Sequence, residues 1–166
     1  MDGEALTIFL GGPIQHAMEE PNKFCHQTEA AISSAIGHLR AAGFTVLSAH
    51  AFEEFGRLDM DGKSREVTKR DFQWMHECDV FVALFPPSNR ENGLFRSDGM
   101  CVELGWASAL AKSVILVRPS EAKCSHLMNG LDALTQVMVL DYEHTMEHPE
   151  NLVAAVLALS QPGCRT

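Results

Sequence analysis

Between Asp79 and Pro86 the chain runs through six consecutive apolar residues, Val80-Phe-Val-Ala-Leu-Phe85. So short a run, with no polar residue on either face, suits a strand buried on both sides, the place of a central strand in a parallel sheet. Similar runs occupy residues 6–10, 44–47, 114–117 and 137–140. Segments of helical period lie between them. Residues 24–42 carry Ala31, Ile32, Ala35, Ile36 and Leu39 on one face, with Gly43 as the stop. Residues 64–78 carry Val67, Trp74, Met75 and Cys78. A third helix starts near Ser97, a short one is predicted over 122–129, and an amphipathic helix over 147–160 turns Leu152, Val153, Val156 and Leu157 inward. Strand and helix alternate throughout, which predicts an α/β fold: a doubly wound, Rossmann-like five-stranded parallel sheet flanked by helices, with ligands at the carboxyl ends of the strands.

The chain of 166 residues is expected to form one domain over 1–166, with no repeat and no internal linker. Its net charge of −9 and lack of a Lys/Arg run argue against binding a nucleic-acid backbone. They leave room for a small phosphorylated ligand held by backbone amides. The five cysteines (Cys25, Cys78, Cys101, Cys124, Cys164) are odd in number and form no CxxC pair. They read as reduced thiols of a cytoplasmic protein, neither a disulfide frame nor a zinc site. No apolar run is long enough for a membrane span, and the acidic N-terminus does not read as a signal peptide.

Several residues break the pattern of a plain scaffold. Gly11-Gly12-Pro13 follows the first strand. These glycines either let a ligand approach the backbone closely or merely turn the chain; the GxGxxG fingerprint is absent. Residues 15–23 and the longer, mixed stretch 48–63 read as loops. His50 directly follows the second strand, where α/β proteins place ligands, although an ordinary hydrogen-bonding histidine fits as well. Phe52 and Phe55 read as core anchors of that loop. Asp71 falls on the apolar stripe of its helix, four residues from both Val67 and Met75, and is either functional or bonded to nearby backbone. Asp79 reads as a turn residue. In Ser97-Asp-Gly-Met-Cys-Val-Glu103 a hydroxyl, a bare backbone at Gly99 and the amides of a helix start form an anion cradle. Glu103 lies about 6 Å further along the axis among apolar neighbours. It is either a working carboxylate or a first-turn Glu favoured by the helix dipole.

The blocks FLGGPI (from Phe9), RDFQWMHECDVFVALF (from Arg70), SDGMCVELGWASALAK (from Ser97) and NGL (from Asn129) together resemble the nucleoside 2-deoxyribosyltransferase superfamily. The resemblance implies that Glu103 is the nucleophile and Asp71 the second acid. Ser97 stands where transferases carry an Asp for the sugar 5′-hydroxyl and where phosphate-using members carry Ser. Phe9 stands where deoxynucleoside and deoxynucleotide members carry Tyr, which brings the chain nearest to the CMP and hydroxymethyl-CMP hydrolases. By the same comparison His50 matches a histidine after the second strand, and together with Gly11, Gly12, Ile14 and Gly99 it is expected to bind substrate. Ser125 matches a position that a neighbouring subunit inserts at the ligand's 5′ end, which implies a homodimer with shared sites. The chain departs from the pattern at Gln15, at Asp98 and in a longer loop over 90–96. The implied activity is metal- and cofactor-independent hydrolysis of a pyrimidine ribonucleotide, CMP or a 5-substituted CMP, to base and ribose 5-phosphate. A deoxynucleotide N-glycosidase, a transferase and a non-catalytic nucleotide-binding module are the alternatives.

Overall fold

The computed structural model describes residues 5–14, 17–20, 23–88 and 97–160; Gln15, the loop over 90–96 and Cys164 lie outside them. In chain order the elements are β1 (Thr7–Gly11), a hairpin of β2 (Met18–Glu20) and β3 (Lys23–Phe24), α1 (His26–Ala41), β4 (Thr45–Leu47), α2 (Ala49–Phe52), α3 (Ser64–Glu77), β5 (Val80–Leu84), α4 (Asp98–Ala109), β6 (Ser113–Arg118), α5 (His126–Asn129), β7 (Val137–Asp141), α6 (Tyr142–Glu147) and α7 (Glu150–Ser160).

The five long-range strands form one all-parallel sheet in the order β4-β1-β5-β6-β7. β5, the continuous apolar run, lies at its centre, and all five of its residues are buried. Period-two alternation sorts side chains between two cores. Ile8, Leu10, Val80, Val82, Leu84, Ile115 and Val117 face α1, α6 and α7. Phe9, Phe81, Ala83, Val114 and Leu116 face Met75 and Cys78 near the end of α3, and Met100, Leu104 and Ala107 of α4. The chain moves outward from β1 to β4, then returns across β1 to β5. The strand order therefore reverses between β1 and β5, and their carboxyl ends open a crevice there.

Three details fix the frame. Gly43 ends α1 with φ at +90°, a left-handed conformation that costs glycine little. Asp79 is more than a turn: its Oδ2 accepts from the Thr7 amide at 2.8 Å and its own amide donates to Thr7 O, clipping β1 to the start of β5. Lys112 Nζ donates to the carbonyls of His76 and Cys78, closing the end of α3.

Some local expectations are corrected. The expected loop 15–23 carries the β2–β3 hairpin in its described part, and Phe24 belongs to β3 rather than to the following helix. The expected loop 48–63 contains α2 and a 3-10 turn at Glu54–Gly56. The helix expected over 122–129 forms only at His126–Asn129, where the Ser125 hydroxyl caps the Met128 amide. α6 was not foreseen. Asp141, the last residue of β7, accepts from the His144 amide at 3.0 Å and starts that helix without a loop.

Candidate active site

The end of β1 and the helices α2, α3 and α4 around the crevice line one cleft of about 260 Å³. Gly11, Gly12 and Ile14 come from the end of β1, and His50 and Glu53 from α2 and its end. α3 supplies Ser64, Val67, Thr68 and Asp71. The first two turns of α4, with the cap before them, supply Ser97, Gly99, Met100 and Glu103. Asp71 and Glu103, distant in sequence, line the same space.

Glu103 is set against bare backbone. A Cβ on Gly11 would lie 2.5 Å from Glu103 Oε2, so only glycine leaves room for the carboxylate. Oε2 is buried, and no hydrogen-bond donor reaches it among the described residues. Burial is the main reason its pKa is pushed up to about 8; the charges of Asp71 and Glu53 add to the effect, and that of Arg70 opposes it. Asp71, also buried, has its pKa raised by desolvation, which outweighs the attraction of Arg70. Two carboxyl groups thus share a water-poor cleft in which both resist ionisation together.

A cation ties the cleft's acids. Arg70 Nε donates to Asp71 Oδ1 at 2.8 Å, and its Nη2 donates to Glu53 Oε1 at 2.7 Å. Its guanidinium lies 4.8 Å from the ring centre of Phe52 and 4.7 Å from that of Trp74, a stacking arrangement suited to arginine. Phe52, expected as a core anchor, is 55 % exposed and covers this guanidinium instead. Phe55 does pack against the core, with its ring 5.5 Å from that of Phe24.

His50 is buried, and its Nε2 is 3.1 Å from Pro13 O. Burial lowers its pKa to about 4, so the ring is neutral at physiological pH. With Nε2–H donating to Pro13 O, Nδ1 carries a lone pair, and it is buried without a partner among the described residues. A Cβ on Gly12 would meet this ring at 3.2 Å.

The groups expected to form an anion cradle lie at the start of α4. Ser97 is its N-cap, in extended conformation, and its Oγ accepts from the Met100 amide at 3.1 Å. That bond uses a lone pair and leaves the hydroxyl proton available for a ligand. Asp98 is exposed and does not line the cleft. Two expected binding residues also lie off the lining. Phe9 is fully buried beneath it, edge-on to Trp74 at 5.8 Å. Ser125 borders a separate groove on an adjacent face of α4. Among the described residues no group of three or more His, Cys, Asp or Glu is arranged to hold a metal ion. No helix among them is long and apolar enough to cross a membrane.

The sequence reading missed Glu53, Arg70, Met60, Ser64 and Thr68. Ser64, Thr68 and Asp71 are spaced to share one stripe of α3, so the first two were open to discovery. Glu53 reaches the cleft only because a helical turn follows His50, and nothing in the sequence marks Arg70 apart from its place beside Asp71.

The profile of the family described as nucleoside 2-deoxyribosyltransferase matches residues 8–153. No curated protein matches the chain significantly. Among solved structures, similarity extends to the solution structure of BlsM, with TM-score 0.70 and 24 % identity over 98 % of each chain. The Clostridium botulinum CMP N-glycosidase BcmB aligns with TM-score 0.60 and 24 % identity, over 89 % of this chain and 98 % of its own. A 2-desoxiribosyltransferase from Leishmania mexicana aligns with TM-score 0.50 and 18 % identity, over 86 % of this chain and 98 % of its own. At these identities the structural matches establish a shared fold.

Proposed function

The chain belongs to the nucleoside 2-deoxyribosyltransferase family, and within it we propose that this protein is a metal-independent nucleoside 5′-monophosphate N-glycosidase acting on a pyrimidine ribonucleotide, CMP or a 5-substituted CMP. The observation that carries the reading is the shared cleft of Asp71 and Glu103, with Gly99 in the Ser97-capped first turn of α4 about one helical turn before Glu103.

A Glu103 oxygen attacks C1′ as the bond to the base breaks. Asp71 supplies the proton that the departing base nitrogen takes up. Water then cleaves the ribosyl ester at C1′ and returns a proton to Asp71, so Glu103 leaves as a carboxylate and the products are base and ribose 5-phosphate. The chemistry needs one charged and one protonated carboxyl at the same moment. Burial raises the pKa of both carboxyls, and the charge of Asp71 adds to the effect on Glu103, so the pair favours holding one proton over losing both. Ser97 and the first-turn amides at Gly99 hold the 5′-phosphate, and this remote grip places C1′ over Glu103. We further assign Ser125 to the 5′ end of the site of a second copy, which makes the working unit a homodimer in the cytoplasm.

The test is incubation with a panel of ribo- and deoxyribonucleoside monophosphates, with chromatography for free base. Release of cytosine from CMP by the parent and its loss in Glu103→Gln are expected. Sugar transfer to an added second base, in place of hydrolysis, would make the protein a transferase. Binding without turnover in the parent would make it a nucleotide-binding module.

A further inference from the structure

Neither the cradle nor the two reacting acids account for the Glu53–Arg70 pair. Glu53 is 5 % exposed, and the Arg70 side chain 14 %. Burying a guanidinium and two carboxylates costs solvation that a surface pair avoids, so the arrangement needs a reason beyond stability. Its geometry supplies one. Arg70 grips one oxygen of each acid, Asp71 Oδ1 and Glu53 Oε1, and its guanidinium packs into the corner made by the edge-to-face rings of Phe52 and Trp74. The bridge spans two elements, joining the turn after α2 to the middle of α3. Asp71 therefore cannot swing freely, and its second oxygen is left for the cleft.

We propose that Arg70 is a positioning residue, which with Glu53 forms an ionic bridge that orients the Asp71 carboxyl and sets the charge that Glu103 faces across the cleft. The inference rests on the assignment of Asp71 and Glu103 as the working pair. The charged and titratable groups around Glu103 among the described residues are Asp71 and Arg70 of α3, Glu53 at the end of α2, and the neutral His50 of α2. Arg70 favours ionisation of Glu103, and Glu53 opposes it. The two halves of one bridge thus act on Glu103 with opposite signs. What separates positioning from a mere tether is Arg70→Lys, which keeps the charge near Glu103 and loses the two-armed grip on Asp71 and Glu53.

The experiment follows carboxyl titration directly in the full-length protein, by carbon-detected NMR with 13C-labelled Glu and Asp, the Glu103 signal being assigned by its loss in Glu103→Gln. Arg70→Met removes the cation. Glu53→Gln removes the charge yet keeps an oxygen to accept from Arg70. Relative to the parent, Glu103 is expected to titrate about one pH unit higher in Arg70→Met and lower by a similar amount in Glu53→Gln. Arg70→Lys, which restores charge without the two-armed grip, returns Glu103 towards the parent value. Its Asp71 signal is expected to broaden or move, because orientation is not restored. Where a hydrolysed nucleotide is in hand, the pH profile of kcat/KM shifts in the same two directions. Shifts of the same sign, or none, in the two charge variants overturn the proposal. If Arg70→Met fails to fold, an unmoved Glu103 signal in Glu53→Gln does so alone. The titration needs no substrate, so failure of CMP hydrolysis strikes only the assignment of function.

Discussion

A carboxyl that resists ionisation in the folded state but not in the unfolded chain makes stability depend on pH. Glu103 has an ordinary value of 4.5 when exposed and about 8 in the cleft. Between these two values the folded protein holds a proton that the unfolded chain has lost, so stability falls as pH rises through that window. His50, lowered from 6.5 to about 4, acts the other way and costs stability as pH falls through its own window. Glu103→Gln leaves the histidine contribution in place. The stability difference between variant and parent should therefore move in the variant's favour by about 2 kcal/mol or more from pH 5 to pH 8. Urea unfolding at a series of pH values measures it, and a difference that stays flat would show that Glu103 is not desolvated. Gly11→Ala probes the same atom from below. Its methyl group must displace the Glu103 carboxylate, so turnover is expected to drop at least about 100-fold while the helical content by circular dichroism is kept. At this scale the sequence was informative where a residue violated its surroundings. Asp71 stood out as an acid on an apolar stripe, and Glu103 as an acid among apolar neighbours. Arg70 and Glu53 did not, because a charged residue on a helix or in a polar stretch is ordinary until its side chain is known to point inward.

Elements were legible in proportion to how far local pattern sets them. Each strand of the sheet reads from a continuous apolar run, and α1 and α3 read from their stripes and from the glycine that stops α1. The stretch over 48–63 did not, because its shape is imposed by packing. Glu54, Phe55 and Gly56 take positive φ values of 51°, 56° and 78° in succession. Only the glycine announces this. The other two cost about 1–2 kcal/mol each, a strain held by Phe55 against Phe24 and His50. The strained turn directly follows Glu53 and so fixes where α2 delivers it. The opening of α4 combines two roles in one side chain. Ser97→Ala removes the cap on the Met100 amide and should cost about 1 kcal/mol of stability, read from thermal or urea unfolding. If Ser97 also grips phosphate, the same variant loses more kcat/KM for CMP than for cytidine. Equal losses on the two substrates would leave it a cap and nothing more.

For the whole molecule, the two cores account for one side of each helix, and α4 has more apolar surface than the sheet can cover. Met100, Leu104 and Ala107 of α4 face the sheet, yet Val102 is 49 % exposed. Beside it Cys101, Leu104, Gly105 and Ser108 of α4 border a groove of about 340 Å³ closed by Ser125, Leu127, Met128, Leu131 and Leu134. Leu127 is 86 % exposed and Leu134 68 %. Leucines so placed in a chain of net charge −9 are a contact surface in search of apolar cover. Ser125, assigned above to the 5′ end of a second copy's site, sits on the same groove. A second copy seated there would cover the leucines and carry Ser125 towards the neighbouring α4, whose first turns form the proposed phosphate cradle. Replacing Leu127 and Leu134 together by Glu is then expected to convert a dimer into a monomer in sedimentation equilibrium. Both residues are exposed, so folding of each chain should survive. Turnover of the nucleotide should fall with the dimer, and Ser125→Ala in the intact dimer should reproduce the part of that loss that depends on the 5′-phosphate. A double-Glu variant that stays dimeric, or a monomer that retains full activity, would move the interface elsewhere or return the whole site to a single chain.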